Sequence, residues 1–435
     1  MKRKIDQYLL DWATNKHRKV LVVRGARQVG KTYSIRQLGS TFPYFLEVNF
    51  EKDKDVAKFF EGNLNPQTIC EKLSAYYRMP IESGKTLLFF DEIQVCQNAI
   101  SSLRYFYEDL PSIHVVAAGS LLEFVLEEIP SFGVGRLTSL FMYPLSFEEF
   151  IDALGETKLN VFIDEASADF PVDEVFHKRI LEYLKTFLII GGMPDVVKHY
   201  VEFRDLLLCQ RLLDDILLTY KQDFSKYRKN APVGRIQDVF ESISFQSGNR
   251  FKYATIDATV KSTLFKDSLE MLVKSGLAYK IFNTSASGIP LGAQIKADQF
   301  KVILFDVGAQ QREQNNNIGE MLVSDDYPMV NKGSIAEVFA GLELIKDGNP
   351  HLPPAQYYWQ REARSSQAEV DYVIQIGDQI VPVEVKSGTK GQMQSMHLFL
   401  SEKKQSRGIR LSLENFGKMG DIEIIPLYAI RHIHQ

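Results

Sequence analysis

Residues 25–32 read Gly-Ala-Arg-Gln-Val-Gly-Lys-Thr, and this stretch decides how the first part of the chain folds. It matches the pattern G-x-x-x-x-G-K-[ST], in which the glycines let backbone N–H groups converge on phosphate oxygens. The apolar run Val20–Val23 precedes it and predicts a buried strand, and a helical stretch follows from about Lys31 to Leu38. Strand, glycine loop and helix together predict a nucleotide site at a helix N-terminus.

The loop residues have defined parts in binding ATP and Mg²⁺. Lys31 is predicted to reach the β- and γ-phosphates, and the Thr32 hydroxyl is predicted to hold Mg²⁺. The predicted nucleotide-binding set in the loop is Gly25, Ala26, Arg27, Gln28, Val29, Gly30, Lys31 and Thr32. A chance glycine turn is the alternative, and the flanking strand and helix disfavour it.

A second apolar run, Thr86–Phe90, ends in the carboxylates Asp91 and Glu92. After a phosphate loop this is the Walker B pattern, in which Asp91 binds the metal through water and Glu92 orients the attacking water as a base. The following predicted strand ends at Gly119-Ser120. Ser120 is a candidate sensor of the γ-phosphate, and a serine that only begins a helix is an equal alternative.

The C-terminal region contains a predicted hairpin that turns at Gly377-Asp378. In its register Asp371 lies opposite Glu384, and Glu369 lies opposite Lys386. Directly opposed residues place their Cβ atoms ~5 Å apart, and two carboxylates that close repel each other unless a cation lies between them.

These acids suggest a second metal site. Mg²⁺ prefers one or two carboxylates and several waters, so Asp371 and Glu384 are predicted ligands, with Glu337 as a further acid. Lys386 can stabilise a hydroxide nucleophile or the charge of a phosphorane, which is the chemistry of metal-assisted phosphodiester hydrolysis. A solvated hairpin face with a Glu369–Lys386 pair is the alternative.

Several strings together resemble one group of ATPases. They are residues 25–32, 88–94, 118–120, 135–136, 144–150, 191–194, 369–371 and 384–386. The chain resembles the AAA+-type ATPases of bacteria and archaea, and within them the branch whose C-terminal half is a domain of unknown function with a nuclease-like end. The resemblance implies that Arg136 acts on a neighbour's nucleotide in a homo-oligomer. A structural arginine that bridges to an acidic neighbour is at least as well supported.

The C-terminal hairpin and its flanking helices also resemble the restriction-endonuclease-like core. The match is to its Asp…Glu-x-Lys pattern, at Asp371, Glu384 and Lys386. The chain departs from that pattern in one respect, because Val370 stands where the family usually has proline before its acidic motif. The fold is therefore better supported than the cleavage activity.

Composition limits the remaining possibilities. The chain has 435 residues and a net charge of −4, so basic surface for nucleic acid must be local. No apolar run approaches ~18 residues, so no membrane span is expected. Three isolated cysteines without metal spacing indicate reduced thiols and a cytoplasmic protein.

The sequence thus predicts an α/β chain with four segments. A parallel-sheet phosphate-loop NTPase domain of AAA+ type covers residues 1–145, and a helical extension covers 146–230. A winged-helix domain covers 231–290, and an α/β restriction-endonuclease-like domain covers 291–435. The winged helix could place lysines in a DNA groove, but its modest basic content slightly favours a protein-packing role.

The predicted function is a Mg²⁺-dependent ATPase coupled to DNA binding or processing. One alternative is an ATP-dependent switch or scaffold that binds a protein partner. A small-molecule kinase is less favoured, because Glu92 directly follows Asp91 and no acceptor pocket is evident in the sequence.

Overall fold

The computed structural model describes residues 1–119, 135–227, 232–314, 333–361, 368–386 and 393–434. The chain divides into two compact units. The N-terminal unit consists of Lys2–Tyr143 with Asn349–Pro353, and the C-terminal unit consists essentially of Pro144–Gly348 and Pro354–Gln435.

The N-terminal unit is built on a five-stranded sheet, and its parallel arrangement agrees with the prediction from the sequence. Its strands are β1 (Val20–Arg24), β2 (Tyr44–Asn49), β3 (Thr86–Asp91), β4 (His114–Ala118) and β5 (Leu137–Phe141). Their order is β2-β3-β4-β1-β5, and every neighbouring pair is parallel. Most strand positions are buried on both faces, which explains the near-continuous apolar runs. One strand, β4, separates the strand of the phosphate loop from the strand of the paired acids.

Helices connect these strands, namely α1 (Lys4–Thr14), α2 (Lys31–Gly39), α3 (Pro66–Tyr77) and α4 (Gln97–Asp109). A cluster of aromatic rings packs against β3, where Phe90 lies between Phe50, Phe60 and Phe106 with ring centroids 5.6–5.9 Å apart. Edge-to-face and tilted contacts of this kind add to the free energy of apolar burial. The cluster therefore fixes the strand that ends in Asp91.

The C-terminal unit begins with a helical region. Its helices are α5 (Phe147–Ala153), α6 (Thr157–Glu165), α7 (Glu174–Ile190), α8 (Pro194–Phe203) and α9 (Leu206–Asp223). α5 begins with a capping box, in which the Ser146 hydroxyl accepts from the Glu149 N–H and the Glu149 carboxylate accepts from the Ser146 N–H. This arrangement explains the Pro-Leu-Ser-Phe-Glu-Glu-Phe string at residues 144–150.

The Gly191-Gly192 pair is packed closely against the buried acid Asp306 and the backbone of Leu145. Asp306 Oδ2 accepts a hydrogen bond from the Gly192 N–H at 2.7 Å, and a Cβ atom at Gly191 would lie only 2.0 Å from Asp306 Oδ1. Asp306 also caps α12 (Val307–Glu313) by accepting from the Ala309 N–H. Gly191 leaves room for this carboxylate, whereas Gly192 leaves room for the carbonyl oxygen of Leu145, which would lie 2.2 Å from a Cβ atom there.

Residues 233–304 follow the order helix, short 3₁₀ turn, helix, strand, strand. They form α10 (Val233–Phe245), a turn at Tyr253–Thr255, α11 (Thr263–Lys274), β6 (Ala278–Thr284) and β7 (Ile295–Leu304). The β6–β7 pair is antiparallel and crosses the predicted domain boundary at residue 290. β6 also pairs in parallel with β8 (Gln356–Gln360), so this sheet includes strands from both predicted domains. The winged-helix assignment stays a prediction.

A second sheet of the C-terminal unit has the order β10-β11-β12-β14-β13. Its strands are β10 (Tyr372–Ile376), β11 (Gln379–Val385), β12 (Gly408–Ser412), β13 (Gly417–Met419) and β14 (Ile422–Pro426). The central strands are parallel, and the two edge strands are antiparallel to their neighbours. Helices α13 (Gly333–Asp347) and α14 (Gln394–Lys403) both contact β11. The restriction-endonuclease-like assignment of this mixed α/β region stays a prediction.

The predicted hairpin register is confirmed for β10 and β11, since Tyr372 lies opposite Val383 and Ile376 lies opposite Gln379. The predicted continuous strand from Ala368 is wrong, because the chain bends at Asp371. The preceding residues form β9 (Glu369–Val370), which pairs with β8. Glu369 therefore lies opposite Gln360 and not opposite Lys386.

Two expectations from composition can be compared with the described residues. Cys70, Cys96 and Cys209 are all buried and free of disulfide bonds. None of the helices in the described ranges has the length and apolar character to cross a membrane.

Candidate functional site

The phosphate loop has the backbone shape that its glycines allow. Gly25 has φ +136°, and a Cβ atom there would lie 2.1 Å from the carbonyl oxygen of Met142. Gly30 has φ +99° and is the N-cap of α2 without a capping side chain. The first N–H groups of α2 are therefore not capped by the residue before the helix, which suits an anion at this helix N-terminus.

Lys31 lies inside the loop that surrounds it. Its Nζ donates to the carbonyl oxygens of Gly25 at 2.8 Å and Ala26 at 2.6 Å, and the residue is only 9% exposed. Burial lowers the pKa of Lys31 to about 8, although the nearby carboxylates of Glu92 and Asp91 act in the opposite direction. The Lys31 ammonium is thus held in the loop, where phosphate oxygens could replace the two carbonyl oxygens as its hydrogen-bond acceptors.

Thr32 and Asp91 form the corner where a metal ion would bind. The Thr32 hydroxyl lies 3.4 Å from Asp91 Oδ1, and Asn49 Nδ2 donates to Asp91 Oδ2 at 3.0 Å. Burial, followed by the charges of Glu92 and Glu47, raises the pKa of Asp91. Because a cation would relieve this cost, a hydroxyl beside a buried carboxylate fits Mg²⁺.

Asn49 was missed in the sequence, although its position at the end of β2 offers a clue. It is the direct neighbour of Asp91 across the parallel pair β2–β3. Residues at the carboxyl ends of parallel strands meet at one edge of the sheet, where ligands of such folds bind.

Glu92 follows β3 in a left-handed backbone conformation with φ +49°. This conformation is uncommon for a residue with a side chain and is often found at functional sites. The Gln94 Nε2 donates to Glu92 Oε2 at 2.6 Å. Gln94 is a second site residue that the sequence did not reveal.

Arg136 and Ser120 are the two remaining residues that were predicted to act at the nucleotide site. Arg136 forms an ion pair with Glu108 of the same unit, which is the structural arrangement left open in the sequence. Its predicted action on a neighbour's nucleotide stays a prediction. Ser120 lies outside the described residues.

The C-terminal unit contains a cluster of acids around a buried lysine. Lys301, on β7, has a side chain that is 1% exposed, and its Nζ lies 2.7 Å from Glu337 Oε1 and 2.5 Å from Glu369 Oε1. Burial opposes the charged ammonium, but Glu337, Glu369 and Asp371 outweigh it and raise the pKa of Lys301. Lys301 was missed in the sequence, where a lone lysine in the apolar run 300–305 was the available clue.

Asp371, Glu384 and Lys386 lie beside this ion cluster. Asp371 Oδ2 accepts from the Val385 N–H at 2.8 Å, and Lys386 Nζ donates to Glu384 Oε1 at 2.6 Å. The other carboxylate oxygen of Glu384 is buried and has no hydrogen-bond partner among the described residues. Burial, followed by the charge of Asp371, raises the pKa of Glu384 to about 7.

The predicted set of three metal-binding carboxylates is not assembled. Within the described ranges, no group of three or more His, Cys, Asp or Glu side chains could hold a metal ion. The carboxylate of Glu337 accepts a hydrogen bond from Lys301 Nζ at 2.7 Å, and its part as a further metal ligand stays a prediction. Asp371 and Glu384 stay predicted ligands, and the Glu384 oxygen that lacks a partner within the described ranges is the feature that fits a cation.

Comparison with known families identifies the first segment of the chain. Residues 17–151 match the family model described as an AAA domain. The chain carries an AAA-type domain with a phosphate loop. Residues 181–312 and 332–430 match two families described as domains of unknown function, DUF8612 and DUF4143. No curated protein matches the chain.

Three solved structures have similarity to this chain. The Walker-type ATPase PABY2304 of Pyrococcus abyssi is 13% identical, with 72% of this chain and 95% of that chain covered and a TM-score of 0.45. The Aeropyrum pernix ORC1 protein in complex with DNA is 12% identical, with 74% and 95% covered and a TM-score of 0.30. A signal transduction ATPase of Pyrococcus horikoshii with a tetratricopeptide repeat sensor is 12% identical, with 80% and 46% covered and a TM-score of 0.29.

Proposed function

We propose that this protein hydrolyses ATP with Mg²⁺ at its phosphate loop. The observation that carries the proposal is the placement of Lys31, Thr32, Asp91 and Glu92 at one edge of the parallel sheet. Thr32 lies beside Asp91, and the charges of both acids act on Lys31. The match of this segment to an AAA domain supports the same function.

Each residue has one task in the proposed reaction. The Lys31 ammonium leaves the carbonyls of Gly25 and Ala26 and binds phosphate oxygens, while the loop N–H groups surround the rest of the anion. Thr32 and Asp91 would hold Mg²⁺, which neutralises charge on the β- and γ-phosphates when it is bound. Glu92 accepts a proton from the attacking water.

Phosphate release with Mg²⁺ and with EDTA tests this proposal. Glu92→Gln should keep ATP affinity and lower turnover ~10²–10⁴-fold, because it removes the base and keeps the shape. Glu71→Gln, an exposed position on α3, is the matched control and should change neither quantity. Wild-type turnover in Glu92→Gln would show that another residue orients the water.

We also propose that the ATPase cycle is coupled to DNA binding or processing by the C-terminal unit. The buried Glu384 oxygen that has no partner in the described part of the chain supports this, because it lies in a cluster with Asp371 and Lys386 that suits a divalent cation and a phosphodiester. Lys261 and Lys266, in the segment predicted to be a winged helix, are exposed and could contact a DNA backbone.

ATP turnover measured with single-stranded, duplex and supercoiled DNA tests the coupling, and the same samples can be examined for strand cleavage with Mn²⁺. Lys386→Ala should abolish cleavage and keep ATP turnover. If DNA neither stimulates ATP turnover nor is cut, the alternative of an ATP-dependent switch that binds a protein partner is favoured.

A further inference from the structure

Gln94 links the proposed base to the end of a neighbouring strand. It lies two residues after Glu92, in a 3₁₀ segment at Ile93–Val95, and its Nε2 donates to Glu92 Oε2 at 2.6 Å. An ionised carboxylate can only accept hydrogen bonds. The amide nitrogen of Gln94 must therefore face Glu92, and its amide oxygen must point away.

That oxygen is buried and has no hydrogen-bond partner among the described residues. It lies against Gly119, directly after β4, where a Cβ atom would be 2.0 Å away. A buried acceptor without a partner costs free energy, so packing alone would be better served by an apolar side chain of the same size. Among the residues that the structure describes, the end of the amide with a hydrogen-bond partner is the end that holds Glu92.

The backbone of Glu92 adds to this restraint. Its left-handed φ of +49° directs the residue away from the path of β3, and the following 3₁₀ segment carries Gln94 back towards its carboxylate. Backbone and hydrogen bond together restrict the orientations that the carboxylate can adopt. Such a restraint matters in catalysis because a small misplacement of a reacting group lowers the rate strongly.

We propose that Gln94 is a positioning residue for ATP hydrolysis, which holds the Glu92 carboxylate in its working orientation, and that Gly119 is needed to leave space for its amide. The inference rests on the proposed role of Glu92 as the base. It extends the site to a residue whose proposed action is exerted only through Glu92.

Gln94→Met is the central test, because methionine keeps the length of the side chain and removes both polar atoms. Its kcat should fall about 10- to 100-fold, while KM and the affinity for a fluorescent ATP analogue stay unchanged. Gln7→Met is the matched control, since Gln7 is an exposed glutamine of α1 that bonds Asp11, and its kcat should not change. A loss of ATP affinity in Gln94→Met, or an unchanged kcat, would overturn the inference.

Two combinations separate positioning from packing. Adding Gln94→Met to Glu92→Gln should cause no further loss of kcat, because Gln94 acts only through the carboxylate. Gly119→Ala should lower kcat in the wild type and have no further effect on Gln94→Ala. Full additivity in either pair would refute the inference. If Glu92→Gln alone keeps wild-type turnover, the proposed base is wrong instead.

Discussion

Replacing Lys301 with Met should destabilise the C-terminal unit strongly, because Glu337 and Glu369 then lose their shared cation. The ammonium is almost fully buried and lies 2.7 Å and 2.5 Å from the two carboxylates. Removing one partner of a buried ion pair costs about 3–5 kcal/mol, since a buried charge is left without compensation. A loss of this size is above the range of about 0.5–3 kcal/mol for most single substitutions.

The loss should depend on pH in a defined direction. Burial, with a further contribution from Asp371, raises the pKa of Glu337 to about 7 even though Lys301 lowers it. The folded protein therefore binds this proton more tightly than the unfolded chain, and its stability falls as pH rises from about 4.5 to about 7. Without Lys301 the pKa rises further, so Lys301→Met should lose less stability at about pH 6 than at about pH 8.

Urea denaturation followed by the fluorescence of Trp359 measures this loss. Trp359 packs against Phe399 in the C-terminal unit with ring centroids 5.2 Å apart, and a Trp12→Phe background removes the other tryptophan of the chain. Lys178→Met is the matched control, because Lys178 pairs with Glu174 at the surface, and its effect should stay within about 0.5 kcal/mol.

A compensated variant decides whether the ion cluster is the cause. At about pH 8, Lys301→Met combined with Glu337→Gln should be more stable than Lys301→Met alone, because the second change removes a carboxyl group that must either stay charged without a cation or take up a proton on folding. A single-variant loss below about 1 kcal/mol would refute the reasoning. A combined variant no more stable than the single one would refute it equally.

Further predictions concern the two proposed sites. Lys31 has a pKa of about 8 in the free protein, so ATP affinity should fall about tenfold per pH unit above that value, as measured by titration with a fluorescent analogue. Asp371→Asn should remove Mn²⁺ binding in calorimetry and slightly raise the melting temperature in EDTA, because it relieves the repulsion with Glu384. If Arg136 acts on a neighbour's nucleotide, an excess of Arg136→Ala chains should inhibit wild-type ATPase activity. Activity strictly proportional to concentration, in a monomer by light scattering, would exclude that role.

Local patterns were sufficient for the framework of the N-terminal unit and for one hairpin. The loop at residues 25–32 determines much of its own backbone shape, because Gly25 and Gly30 occupy two of its three positions with positive φ, and Gln28 occupies the third. The apolar runs before and after it are buried strands, since they have no polar face to expose. The register of β10 and β11 followed from the two-residue turn between them, which is also a local constraint.

Contacts between distant parts of the chain determined the ion pairs and the strand pairing that local patterns did not predict. Lys301 and Glu337 are 36 residues apart, and Gly192 and Asp306 are 114 apart, so neither pair leaves a local pattern in the sequence. The chain bends at Asp371 because β9 pairs with β8 instead of continuing the hairpin. The alternation of polar and apolar residues predicts which face of a strand is buried, but it does not predict which strand it pairs with. The sequence thus determined the conformation of the loop, the buried strands of the core and the positions of the acids near Asp91 and Asp371. It did so through short-range steric constraints and apolar burial. Only the tertiary structure determined which lysine or amide group forms an ion pair or hydrogen bond with each acid. The reason is that a buried charge is stabilised by groups within a few ångströms, and these groups come from distant parts of the chain.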